Sequence, residues 1–133
     1  MTTATIKNSL HQHDVSLEVN GNRKTLLIPA KSVGQGSSVT GGELLFLSLA
    51  TCFCNDLYRE AARKNITIDS VEVTVSGEFK KEGEPGSDIR YTVDVRSDAP
   101  EKEIADLIAY VDTVLEIHNT LRKGVAVRLL PKE

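Results

Sequence analysis

Tryptophan is absent from this chain of 133 residues, charge of neither sign dominates, and cysteine occurs only twice. With a formal net charge of −3 and 26% charged residues, neither the electrostatic footprint of a nucleic-acid-binding protein nor a basic membrane-binding patch is present, so neither partner is expected. No window approaches the roughly 18 apolar residues of a membrane span, and Met1-Thr2-Thr3-Ala4-Thr5-Ile6-Lys7 lacks the apolar core of a signal peptide. A cytoplasmic location is the expectation. There is no Ser-His-Asp motif, phosphate-cradling glycine loop or dinucleotide fingerprint, and no cofactor is expected. Internal repeats, low-complexity tracts and interdomain linkers are lacking too, and the length suits one domain over residues 1–133.

What is present is a long apolar segment holding both cysteines, in Cys52-Phe53-Cys54. It opens with Thr40-Gly41-Gly42-Glu43, a capping box, and runs to Arg63 as a predicted helix of about six turns. Its first half is apolar nearly all round, which places it in the centre of a core or across a subunit interface, a first hint of a dimer.

Strands flank this helix. Val15, Leu17 and Val19 alternate with polar residues, Asn20-Gly21 signals a hairpin, and Lys24 to Pro29 supplies the predicted returning strand. Residues 34–42 read as a loop. Ser70 to Lys80 and Ile89 to Arg96 alternate as a second hairpin around Pro85-Gly86. Pro100 then opens a helical region with an apolar stripe of Ile104, Leu107, Ile108, Val111, Val114 and Leu115. Gly124 stops it, and Val125 to Leu130 is predicted to be a final edge strand.

In a reducing setting a Cys-x-Cys pair points to thiol chemistry, metal binding or inert packing rather than a structural disulfide. The soft or imidazole ligands are Cys52, Cys54, His11, His13 and His118. A Cys-x-Cys on a helix splays its sulfurs, no second pair stands at zinc-site spacing, and no metal site is expected. Cys52 is either a reactive thiol or a small packed apolar residue.

The order of two strands, long helix, hairpin, helices and last strand resembles the osmotically inducible protein C and organic hydroperoxide resistance (OsmC/Ohr) family. Two motifs carry the resemblance: Glu43-Leu44-Leu45-Phe46-Leu47-Ser48-Leu49-Ala50-Thr51-Cys52-Phe53, and Asn119-Thr120-Leu121-Arg122-Lys123-Gly124-Val125. It implies an α+β OsmC-like fold, an intertwined homodimer whose long central helix is buried against antiparallel or mixed sheets. It also implies a peroxidase in which a thiolate attacks the peroxide O–O bond and a second cysteine resolves the sulfenic acid. Cys52 matches the attacking position.

Three positions depart from that pattern. The resolving cysteine is replaced by Leu115, which leaves Cys54 or an external small thiol such as glutathione to do its work. Residues two apart on a helix point about 200° from each other, so a Cys52–Cys54 disulfide requires local unwinding. The acidic partner's position is Gly42, leaving Glu43 to act through an arginine, being about 13 Å from Cys52 along the helix, or simply to serve the capping box. The thiolate-stabilising arginine has only Arg23 as a candidate in the first hairpin. Asp56, one turn beyond Cys52, would raise the thiol pKa if it shared that face. His118 is either a pocket residue or a polar residue at a helix end. The reading is a thiol-dependent peroxide reductase using Cys52, with a catalytically silent dimer that binds a small apolar molecule as the alternative.

Overall fold

Thr2–Ser9 (β1), Gln12–Val19 (β2) and Asn22–Thr25 (β3) form an antiparallel sheet in the order β1-β2-β3, in a computed structural model that describes residues 1–132. They belong to the first of two compact units, Met1–Leu44 and Leu45–Glu133. The Asn20-Gly21 turn is formed as predicted, with both residues at positive φ, 49° and 84°. Strand β1 was not legible in the sequence: all eight of its residues are exposed, so no apolar alternation marks it, and it is held by pairing such as Ala4↔Leu17 and Ile6↔Val15. The returning strand lies earlier and is shorter than Lys24 to Pro29. It ends at Thr25, because beyond the amide bond from Leu26 to the Val15 carbonyl the chain leaves the ladder.

Helix α1 (Gly41–Arg63) starts with the predicted capping box. The Glu43 amide donates to Thr40 Oγ1 at 3.1 Å, and the Thr40 amide donates to the Glu43 carboxylate at 3.0 Å. It ends in a Schellman motif, with Asn65 at φ 56° and the Ile66 amide bonded back to the Ala61 carbonyl.

The second unit holds the rest of α1, the antiparallel pair Ser70–Glu78 (β4) and Ser87–Arg96 (β5), and helices Glu101–Thr113 (α2) and Glu116–Lys123 (α3). Val71, Val73, Tyr91, Val93 and Val95 form the inward face of the sheet, with register pairs Val71↔Val95, Val73↔Val93 and Val75↔Tyr91. Against it pack Phe53, Leu57 and Ala61 of α1 with Leu107, Val111 and Leu115. The helical region is two helices: Val114 and Leu115 leave helical geometry, and the bend drops Leu115 fully into the core.

Gly77 sits at the register irregularity between Ser76 and Glu78. A Cβ there would stand 2.8 Å from Phe46 Cζ and 3.2 Å from the Ser87 carbonyl oxygen, and the Phe46 ring is itself stacked on Phe79 at 5.5 Å. Gly77→Ala is therefore expected to cost about 1–3 kcal/mol of stability by overpacking, measured by urea denaturation.

The predicted strand from Val125 to Leu130 is absent. Gly124, at φ 64°, caps α3, and the residues beyond it pair with no sheet among the described residues, leaving Val127 and Leu129 each 99% exposed. Branched residues favour a strand only where a neighbour accepts the backbone groups.

Candidate functional site around Cys52

Helix periodicity decides which of α1's polar residues meet. Cys52 and Asp56 are one turn apart on the side that faces α3, and the bend at Leu115 brings Glu116, the first residue of α3, up to the sulfur. The Cys52 thiol donates toward Glu116 Oε2 at 4.0 Å, and ligand atoms of Cys52, Asp56 and Glu116 all lie within 4.8 Å of one another. The half-buried Cys52 thiol is pushed above its ordinary pKa, first by burial and then by the Asp56 and Glu116 carboxylates. Backbone hydrogen bonding from Ile117 and Glu116 pulls the other way without cancelling this.

Asp56 and Glu60 are buried carboxylates held by arginines of the same helix. Arg59 Nη1 donates to Asp56 Oδ1 at 2.9 Å, Arg59 Nε to Glu60 Oε1 at 3.2 Å, and Arg63 Nη1 to the same Glu60 oxygen at 2.8 Å. Asp56 Oδ2 has no partner among the described residues. A cation among Cys52, Asp56 and Glu116 would meet three ligands, one already engaged by Arg59, short of the four-ligand set of a structural zinc centre.

Each of the other residues expected at the site has contacts within its own unit. Glu43 is committed to Thr40, which holds its carboxyl below the usual range. Arg23 Nη2 donates to Ser16 Oγ on the neighbouring strand at 3.2 Å. Cys54 lines a separate groove with Ala50, Thr51, Asn55, Val71 and Val73, and both cysteines are free thiols. His118, in contrast, is a buried pocket residue, edge-on to the Tyr91 ring at 5.0 Å.

Sequence reasoning missed Glu116 as the thiol's neighbour, and it missed the cluster of Tyr91, Asp112 and Arg122. In that cluster the Tyr91 hydroxyl donates to Asp112 Oδ1, and Arg122 Nη2 donates to the same oxygen at 2.8 Å. The available signal was Tyr91's place on the inward-facing alternation of β5. Nothing local in the sequence announced the bend that aims Glu116.

Glu116→Lys removes a carboxylate and adds a cation beside the sulfur at an exposed position. The Cys52 alkylation rate by iodoacetamide at neutral pH is expected to rise about three- to tenfold, measured by mass spectrometry; an unchanged rate means that Glu116 does not govern the thiol's ionisation.

Residues 34–129 match the family model described as OsmC-like protein. Among solved structures, the chain is similar to an OsmC-like protein from Mycoplasma pneumoniae, with 23% identity, a TM-score of 0.62, and coverage of 90% of this chain and 87% of that one. It is also similar to an organic hydroperoxide resistance protein OsmC from Legionella pneumophila, with 17% identity, a TM-score of 0.58 and coverage of 92% and 89%. A third is the organic hydroperoxide resistance protein OhrB of Bacillus subtilis, with 19% identity, a TM-score of 0.56 and coverage of 92% and 90%. At these identities the likeness establishes the α+β fold. No curated protein matches the sequence.

Proposed function

Because the chain belongs to the OsmC-like protein family, we propose that it reduces organic hydroperoxides with Cys52 as the attacking thiol and a small external thiol as the resolving partner. The observation that carries this reading is the half-exposed sulfur at the meeting of α1 and α3. The Cys52 thiolate attacks the peroxide O–O bond; sulfur takes one oxygen and is oxidised to the sulfenic acid, while the other oxygen leaves and, taking a proton from solvent, becomes the alcohol. An external thiol condenses with the sulfenic acid, releasing water and leaving a mixed disulfide, and a second such thiol attacks the external sulfur, freeing the Cys52 thiolate and leaving as the disulfide of the two external thiols. Leu115, fully buried in the core, and Cys54, in a separate groove, support an external resolver. Such chemistry belongs to a reducing compartment, the cytoplasm in this reading.

A homodimer is part of the proposal. Leu47, on the apolar first half of α1, is 59% exposed in the single chain, and Val127 and Leu129 offer further apolar surface for a second copy to cover.

The test is mass spectrometry of the reduced protein after brief exposure to near-stoichiometric cumene hydroperoxide, with and without glutathione. Cys52 is expected to carry the sulfenic acid, then the glutathione adduct, with initial rates climbing as the pH rises past neutral, because the thiol's raised pKa limits the thiolate. No oxidation within minutes overturns the peroxidase reading. A second reading, a catalytically silent dimer that binds a small apolar molecule, is favoured by one observation: among the described residues, the charges that act on the sulfur are the carboxylates of Asp56 and Glu116, which oppose the thiolate.

A further inference from the structure

A cavity of about 280 Å³ lies in the second unit, walled by Leu49, Val75, Ile89 and Leu121, with Tyr91, His118 and Arg122 as its polar lining. His118 is only 5% exposed, and neither of its ring nitrogens has a hydrogen-bond partner among the described residues. Buried polar groups are almost always satisfied, so two unpaired nitrogens on a cavity wall mark a place where a ligand supplies the missing bonds.

The remaining polar groups define what that ligand carries. Arg122 commits Nη1 to the Asp112 carbonyl and to Asn119 Oδ1 and one Nη2 hydrogen to Asp112 Oδ1, which leaves its Nε–H and one Nη2–H uncommitted among the described residues. A neutral imidazole adds one donor, and the Tyr91 proton is spent on Asp112. The lining thus offers two uncommitted guanidinium N–H groups and one imidazole N–H as donors, against the second imidazole nitrogen and the Tyr91 oxygen as acceptors, and the Arg122 charge is shared with Asp112. The volume lies just below the usual range for ligand pockets of about 300–1,000 Å³, which suits a short chain rather than a long lipid tail. We propose that this cavity binds a small monocarboxylate with a short aliphatic body, its carboxylate meeting Arg122 and His118 and its chain meeting the apolar wall.

The groups that bear on His118 are Arg122 of α3, Asp112 of α2, Asp56 of α1 and the Tyr91 ring of β5. Burial, then Arg122, holds the His118 imidazole below its ordinary pKa, and the two aspartates oppose this only in part. An incoming carboxylate adds a negative charge and raises that pKa, so binding takes up a proton wherever the pH lies between the free and bound values. Affinity is thus greatest on the acid side and is lost as the pH rises through that window.

The experiment is calorimetric titration of the intact protein with sodium octanoate, octan-1-ol and octylammonium at pH 6 and pH 8. Octanoate is expected to bind about tenfold or more tightly than the alcohol or the amine, through charge-assisted hydrogen bonds. Its affinity is expected to fall by up to about tenfold per pH unit within the window. His118→Gln retains a donor and an acceptor but cannot charge, and it is expected to flatten the pH dependence. If that variant does not fold, Leu121→Trp, which fills the cavity from a partly exposed position, is expected to abolish binding. Octanoate that fails to bind a protein with a native melting curve overturns the proposal, as does alcohol binding equally well or binding that survives Leu121→Trp. Cys52→Ser should bind octanoate like the parent, so this site and the redox reading stand or fall separately.

Discussion

Cys52→Ser is expected to abolish hydroperoxide consumption, lowering the rate on the order of 10³-fold or more, as removal of a catalytic nucleophile does. The reason is ionisation and polarisability together: a serine hydroxyl is essentially un-ionised at neutral pH, and oxygen has no stable counterpart of the sulfenic acid. Cys54→Ser is expected to retain most of the rate, since that sulfur lies in a different groove, beside Val71 and Val73. Peroxide decay followed colorimetrically, with glutathione and its recycling enzymes in excess, separates the outcomes. Equal loss in both variants would mean that the two thiols work as a pair, and an active Cys52→Ser would remove sulfur from the mechanism.

Phe53→Ala is expected to destabilise the protein by about 3–5 kcal/mol, the range for deleting a buried aromatic ring from a packed core. Phe53 is fully buried and stands 5.5 Å from the Tyr91 ring, at the point where α1 meets both the β4–β5 sheet and Leu107, Val111 and Leu115. The neighbouring substitution Cys54→Ala makes the control. It removes one half-exposed sulfur and is expected to cost far less. Urea denaturation of the two variants reads the difference directly, and a loss below about 1 kcal/mol for Phe53→Ala would mean that this core collapses to refill the space.

How much of this was legible depended on whether the signal was local. The capping box at Thr40 and Glu43, the Asn20-Gly21 turn, the β4–β5 alternation and the apolar stripe running to Leu115 each arise from neighbouring residues, and each is found. Strand β1 is held by partners rather than by its own pattern, so its polar, exposed residues conceal it. Val125 to Leu130 is the converse, with strand-like residues and no ladder to join among the described residues. At the site, Asp56 was readable as a one-turn neighbour of Cys52. Glu116 was not, because 64 residues and a helix break separate it from the sulfur it meets.

That break has a mechanical consequence. Helix α3 is eight residues long, its first residue faces the Cys52 sulfur and its third, His118, lines the cavity. The two places thus hang from one short lever whose fulcrum is the buried Leu115. A rigid displacement of the lever that alters the spacing between Glu116 and the sulfur also displaces His118 from the cavity wall. Where a ligand in the cavity prefers one lever position, the carboxylate beside the sulfur moves with it, so the ligand alters the surroundings of a thiol that it does not touch.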